Sequence, residues 1–109
     1  MNARSALLIL PLVSALAACN PCAEACRAES AAYEDCLAEW GLEWADLGAE
    51  DRPGFRQECV IDVNLHDASL EPDSRATERK LCGSLVSDLR AASTCDESWQ
   101  ALVDYGREP

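Results

Sequence analysis

Apolar positions fall into two regimes along the chain. Residues 6–13 (Ala6-Leu7-Leu8-Ile9-Leu10-Pro11-Leu12-Val13) form an almost unbroken apolar run, whereas from Pro21 onward apolar and charged residues interleave with a helical period. Cys22, Cys26, Tyr33, Cys36, Leu37, Trp40 and Trp44 recur at steps of three, four or their sums. Glu24, Arg27, Glu29, Glu34, Asp35, Glu39 and Glu43 lie between them and are expected to face water. Asn20 suits an N-cap, and Pro21 suits the first helical position, where a missing N–H costs nothing. The stripe predicts a helix running to Leu47, weakened or ended at Gly41, with the stretch from Gly48 to Gly54 as stop and turn.

Three further segments follow. Phe55, Cys59, Val63 and His66 share a helix face, while Ile61, Val63 and Leu65 alternate as a strand would. A lone strand would leave its backbone groups unpaired, so Phe55 to His66 is read as helix. A third helix is expected from about Pro72 to Ala92, with Glu78, Leu81, Cys82, Leu85 and Leu89 on its periodic face. Thr94-Cys95-Asp96-Glu97 has the layout of a capping box and starts a last helix through Cys95, Trp99 and Leu102. Gly106 to Pro109 is expected to fray. The fold class is therefore all-α, a small bundle of three or four short helices.

The apolar run changes the picture of the N-terminus. Arg4, then the run, then Leu16-Ala17-Ala18-Cys19, has the layout of a cleaved secretory signal. A retained span would need roughly 20 apolar residues, and this run is shorter and holds Pro11. The segment resembles the lipobox of bacterial lipoproteins. That resemblance covers residues 1–19 only and implies cleavage after residue 18, with a diacylglycerol on the Cys19 sulfur and Cys19 as the acylated new N-terminus. Because Asn20 follows the cysteine, it is similar to lipoproteins that Gram-negative cells pass on to the outer membrane. The expected organisation is a signal peptide over 1–18 and a lipid-anchored helical domain over 19–109. Cleavage at Ala15-Leu16-Ala17 would instead release a soluble protein. With no Gly/Ser-rich leader after Cys19, the domain is expected to sit close to the membrane, its first helix rising from it.

Cysteine parity favours the lipid. The chain holds seven cysteines, and if Cys19 is acylated, Cys22, Cys26, Cys36, Cys59, Cys82 and Cys95 are left to form three disulfides in an oxidising compartment. Mirror symmetry about the expected break at residues 47 and 48 suggests Cys36 with Cys59, leaving Cys22 and Cys26 for Cys82 and Cys95. Other thiol chemistry fits less well. Zinc sites show close ligand pairs, and here the spacing is Cys22-x3-Cys26 with His66 the only histidine, so no metal is expected. A redox motif would have to use Cys19-Asn20-Pro21-Cys22 with Cys19 free of lipid, and no βαβ pattern surrounds it.

Charge narrows the partners. The chain carries 20 acidic against 9 basic side chains, a net of −11, so nucleic acid is excluded as a partner and an electrostatic partner would be basic. No nucleophile motif, phosphate loop or acid–base pair stands out, and neither enzymatic activity nor a cofactor is expected. His66 beside Asp67 reads as a polar residue at a helix end. Trp40 and Trp44, one turn apart, are read as core bulk, with a partner-binding patch as the alternative. The leading expectation is a non-enzymatic envelope module that binds or scaffolds another macromolecule. Behind it stand an acidic inhibitor of a basic enzyme and an envelope thiol–disulfide protein.

Overall fold

In the computed structural model, which describes residues 20–109, the chain is an all-α bundle of four helices stapled by three disulfides. They are α1 (Pro21–Cys36), α2 (Arg52–Ser69), α3 (Pro72–Ala91) and α4 (Cys95–Asp104), with one 3₁₀ turn at Trp44–Leu47. The expected signal peptide over 1–18 and the acylated Cys19 lie outside the described residues. Helix starts obey local chemistry. The Asn20 side chain accepts the Cys22 N–H at 3.0 Å, Asp51 Oδ1 accepts that of Gly54 at 2.9 Å, and Thr94 Oγ1 accepts that of Glu97 at 3.2 Å. The reciprocal half of the last motif lands one residue early, since Glu97 accepts the N–H of Ser93 rather than that of Thr94.

Helix α1 is the hub. On an ideal helix Cys26 lies about 40° to one side of Cys22 and Cys36 about 40° to the other, with Glu29 and Tyr33 between them. That narrow stripe bonds to all three other helices, through Cys22–Cys82 to α3, Cys26–Cys59 to α2 and Cys36–Cys95 to the first residue of α4. The core lies between α1, α3 and α4, where Ala25, Cys26, Leu85 and Leu102 are essentially inaccessible.

The pairing of Cys36 with Cys59 is overturned, and the cause is where α1 stops. Gly41, at φ 68°, closes a Schellman turn in which the Leu42 N–H reaches the Leu37 carbonyl at 2.9 Å and the Gly41 N–H reaches that of Ala38 at 3.2 Å. The helix therefore does not run to Leu47. The fold-back shifts toward residues 42 and 43, about which Cys26 and Cys59 are the mirror pair. A further correction concerns Leu81, which was expected on the buried face of α3 and is 49% exposed. It sits where α1 is only beginning and α4 has ended, so it is covered only in part.

Consecutive helices α2 and α3 are joined at Leu70 and Glu71, yet each packs chiefly on α1 rather than on the other. Two arginines fix their apex. Arg75 donates to the carbonyls of Asp67 and Leu70, capping the end of α2, and Arg79 forms a two-pronged bond to the Asp67 carboxylate at 2.9 Å on each arm. That bond holds the Asp67 carboxyl below its ordinary value.

Candidate functional site

The splay of α2 from α3 leaves an open cleft of about 470 Å³ with α1 as its floor. Cys22, Cys59 and Cys82 contribute to that floor, so two of the disulfides hold the walls to the base. One wall is α2, with Phe55 and Val63 low and Glu58, Asp62 and His66 at the rim. Glu78 faces them from α3. Glu58 and Asp62 stand one helical turn apart on the same face. Of the acids around the opening, Asp67 is occupied by its arginines, leaving Glu58, Asp62 and Glu78 without a recorded ion pair among the described residues.

Beneath them lies Glu29, only 3% exposed. It was expected on the water-facing side of α1, but its seven-residue step from Cys22 returns it to the cysteine stripe. Arg107 makes this burial tolerable, its Nη2 lying 2.7 Å from Glu29 Oε1 in an ion pair that lacks hydrogen-bond alignment. Burial pushes the Glu29 carboxyl above its ordinary value, and Arg107 draws it only part of the way back.

Gly106 and Arg107 are thus anchored, against the expectation that the chain frays from Gly106 onward. Gly106, at φ 66°, reverses the chain so that the Arg107 N–H meets the Leu102 carbonyl at 2.7 Å, while the Arg107 carbonyl accepts the Tyr33 hydroxyl at 3.2 Å. Tyr33 is itself buried, which pushes its phenol up to about 12. Sequence periodicity alone could have flagged Glu29. It could not have flagged Arg107, which follows a glycine at the end of the last helix with no period to read.

Trp40 and Trp44 lie outside the cleft. They are half-buried beside Tyr33, at centroid distances of 6.0 and 6.5 Å, and Trp40 also meets Trp99 at 5.2 Å. Phe55 joins the group against Tyr33 at 5.2 Å, linking this aromatic cluster to the cleft wall. His66 is exposed at the cleft mouth in the last turn of α2. Cys22 is buried and bonded to Cys82, so the Cys19-x-x-Cys22 spacing does not form a dithiol here. Among the described residues no group of His, Cys, Asp and Glu could hold a metal ion, and no helix is long and apolar enough to cross a membrane. No family model matches the chain, and no curated protein or solved structure shows significant similarity to it.

Proposed function

We propose that the chain is a lipid-anchored protein of the cell envelope whose helical domain is a binding module, with the α2–α3 cleft as its binding site. The observation that carries the binding reading is a cleft kept open by covalent bonds. Cys22–Cys82 and Cys26–Cys59 tie its two walls separately to α1, and the arginine latch at the apex sets their divergence. A cleft built this way requires no occupant to persist, so its shape is prepared before a ligand arrives.

The anchoring reading draws on the lipobox resemblance and on cysteine parity. Six of the seven cysteines are consumed in disulfides, which leaves Cys19 as the remaining cysteine. Asn20, the next residue, both caps α1 and donates to Asn64 Oδ1 of α2 at 3.1 Å. A lipid on Cys19 would therefore sit about one residue, 3.8 Å, from a fixed point of the domain.

The test is made on mature protein from its own host carrying a photo-crosslinking residue at Asp62. Intact-mass measurement is expected to show cleavage before Cys19, acylation and six oxidised thiols, and irradiation to join position 62 to a macromolecule of the envelope. Absence of the acyl group rejects the anchor. Absence of a crosslink from position 62, with crosslinks obtained from Glu34, an exposed acid that does not line the cleft, rejects the cleft and favours the acidic-inhibitor reading.

A further inference from the structure

We infer that the α2–α3 cleft receives a basic amphipathic helix of a partner protein, one that presents cationic side chains a turn apart around an apolar anchor. The inference rests on the binding-module reading and names its ligand class. Three features carry it.

The first is architectural. Helices α2 and α3 lie side by side on α1 without packing along each other, and α4 lies against α3 and α1 rather than between the two. The groove opposite α1 is the place a further helix would fill, and helix-in-groove docking uses such a seat. A volume of about 470 Å³ admits several side chains but not a whole helix, so the partner's backbone rides above the rim while one face enters.

The second is the chemistry of the lip. Glu58, Ile61, Asp62 and Leu65 follow one another along the solvent side of α2, with Ile61 51% and Leu65 68% exposed. Glu58 and Asp62 thus form the cleft edge with Phe55 and Val63 below them, while Ile61 and Leu65 lie just outside it, Ile61 in a neighbouring hollow with Arg27 and Arg56. A partner complementary to this edge offers bases to Glu58 and Asp62 and an apolar side chain to the floor. Glu78, on the opposite wall, takes a base from the other side. The only basic side chains among the lining residues are Arg107, already paired with Glu29, and His66 at the mouth.

The third is that α2 is underfilled. It is 18 residues long and has no fully buried residue. A partner helix laid along it would cover the apolar surface that the chain's own helices leave open.

The test uses a two-heptad peptide of leucine and lysine with the repeat LKKLLKL, and its counterpart with glutamate in place of lysine. Both are titrated into the oxidised protein and followed by nuclear magnetic resonance. The lysine peptide is expected to shift the signals of Phe55, Val63 and His66 first, and the glutamate peptide to leave them unchanged. Glu58→Gln with Asp62→Asn is expected to weaken binding about tenfold, while Glu34→Gln with Asp35→Asn, which removes the same charge from the far end, weakens it less than about twofold. All four residues are exposed, so both variants keep the fold. Equal weakening by the two variants, equal response to both peptides, or no binding of either overturns the inference. A crosslink from position 62 to an envelope component together with any of those outcomes would leave the binding module standing and reject only its ligand class.

Discussion

Helices α2 and α3 are neighbours in sequence and similar in length, but they are held to α1 by different means. Cys82, Leu85, Val86 and Leu89 of α3 are all buried, so α3 belongs to the core it shares with Leu102 of α4. Helix α2 reaches that core only through the partly buried Phe55 and Val63. Its firmest attachments are the Cys26–Cys59 bond, the Asn20–Asn64 contact and the arginine latch on Asp67. One helix is stabilised by burial of apolar surface, which is cooperative with everything around it. The other is pinned at points, and a helix held that way leaves a face free for a partner.

The largest effect should come from the packed side. Leu102 is fully buried, and Leu102→Ala is expected to destabilise the whole domain by about 3 to 5 kcal/mol through lost transfer energy and a residual cavity. Chemical denaturation should show it, with amide exchange accelerated in α1, α3 and α4 alike. Exchange that rises only in α4 would mean that the core is not one cooperative unit.

Removing the pin from α2 tests the other half. With Cys26→Ala and Cys59→Ala together, neither member of the pair is left to mispair, and the loss of a cross-link spanning 33 residues is expected to cost about 2 to 4 kcal/mol. The distinguishing sign is where the cost falls. Amide exchange and proteolysis should rise across 52–69 while α1, α3 and α4 stay protected, because little buried apolar area connects α2 to them. Uniform loss of protection would show that α2 is as much part of the core as α3, and the comparison would fail.

This division also explains what the sequence disclosed. Where a single local signal marked a helix start, the reading succeeded. Asn20-Pro21, Thr94 and the period of α3 placed helix ends within a residue or two, and six cysteines in a small domain implied three bridges. The β-branched residues of 55–66 did not make a strand, because no partner strand exists among the described residues and a helix satisfies its own backbone. Tertiary features were hidden. The bridge from Cys36 depends on how far α1 extends before Gly41 turns it, a matter of one Schellman turn that periodicity overruns. The cleft depends on two consecutive helices declining to pack together, and nothing in either one's pattern says so. Glu29 was assigned to water because charge usually is, and its burial required a partner 78 residues further on.

Glu29 sits where the packed and pinned halves meet, on the stripe of α1 that carries all three bridging cysteines, and it supplies the smallest of the predicted effects. Because its carboxyl is pushed above 4.5 in the native state, the folded protein binds a proton more tightly than the unfolded chain does. The stabilisation linked to that proton is fully present below 4.5 and is lost as the pH rises through the native value. Glu29→Gln keeps the shape and a carbonyl for Arg107 but has no proton to release. Denaturation of both proteins across this range should give a wild type that loses stability relative to the variant on going from acid to neutral pH. The difference should be modest, because Arg107 offsets much of the cost of burying the charge. In the Arg107→Met background that compensation is gone, and the same pair of measurements should diverge further. If the divergence shrinks instead, Arg107 is not what allows a carboxylate to lie beneath the cleft. The anchoring of the C-terminal turn to α1 would then rest on the Tyr33 hydroxyl and the backbone of Gly106 and Arg107 alone.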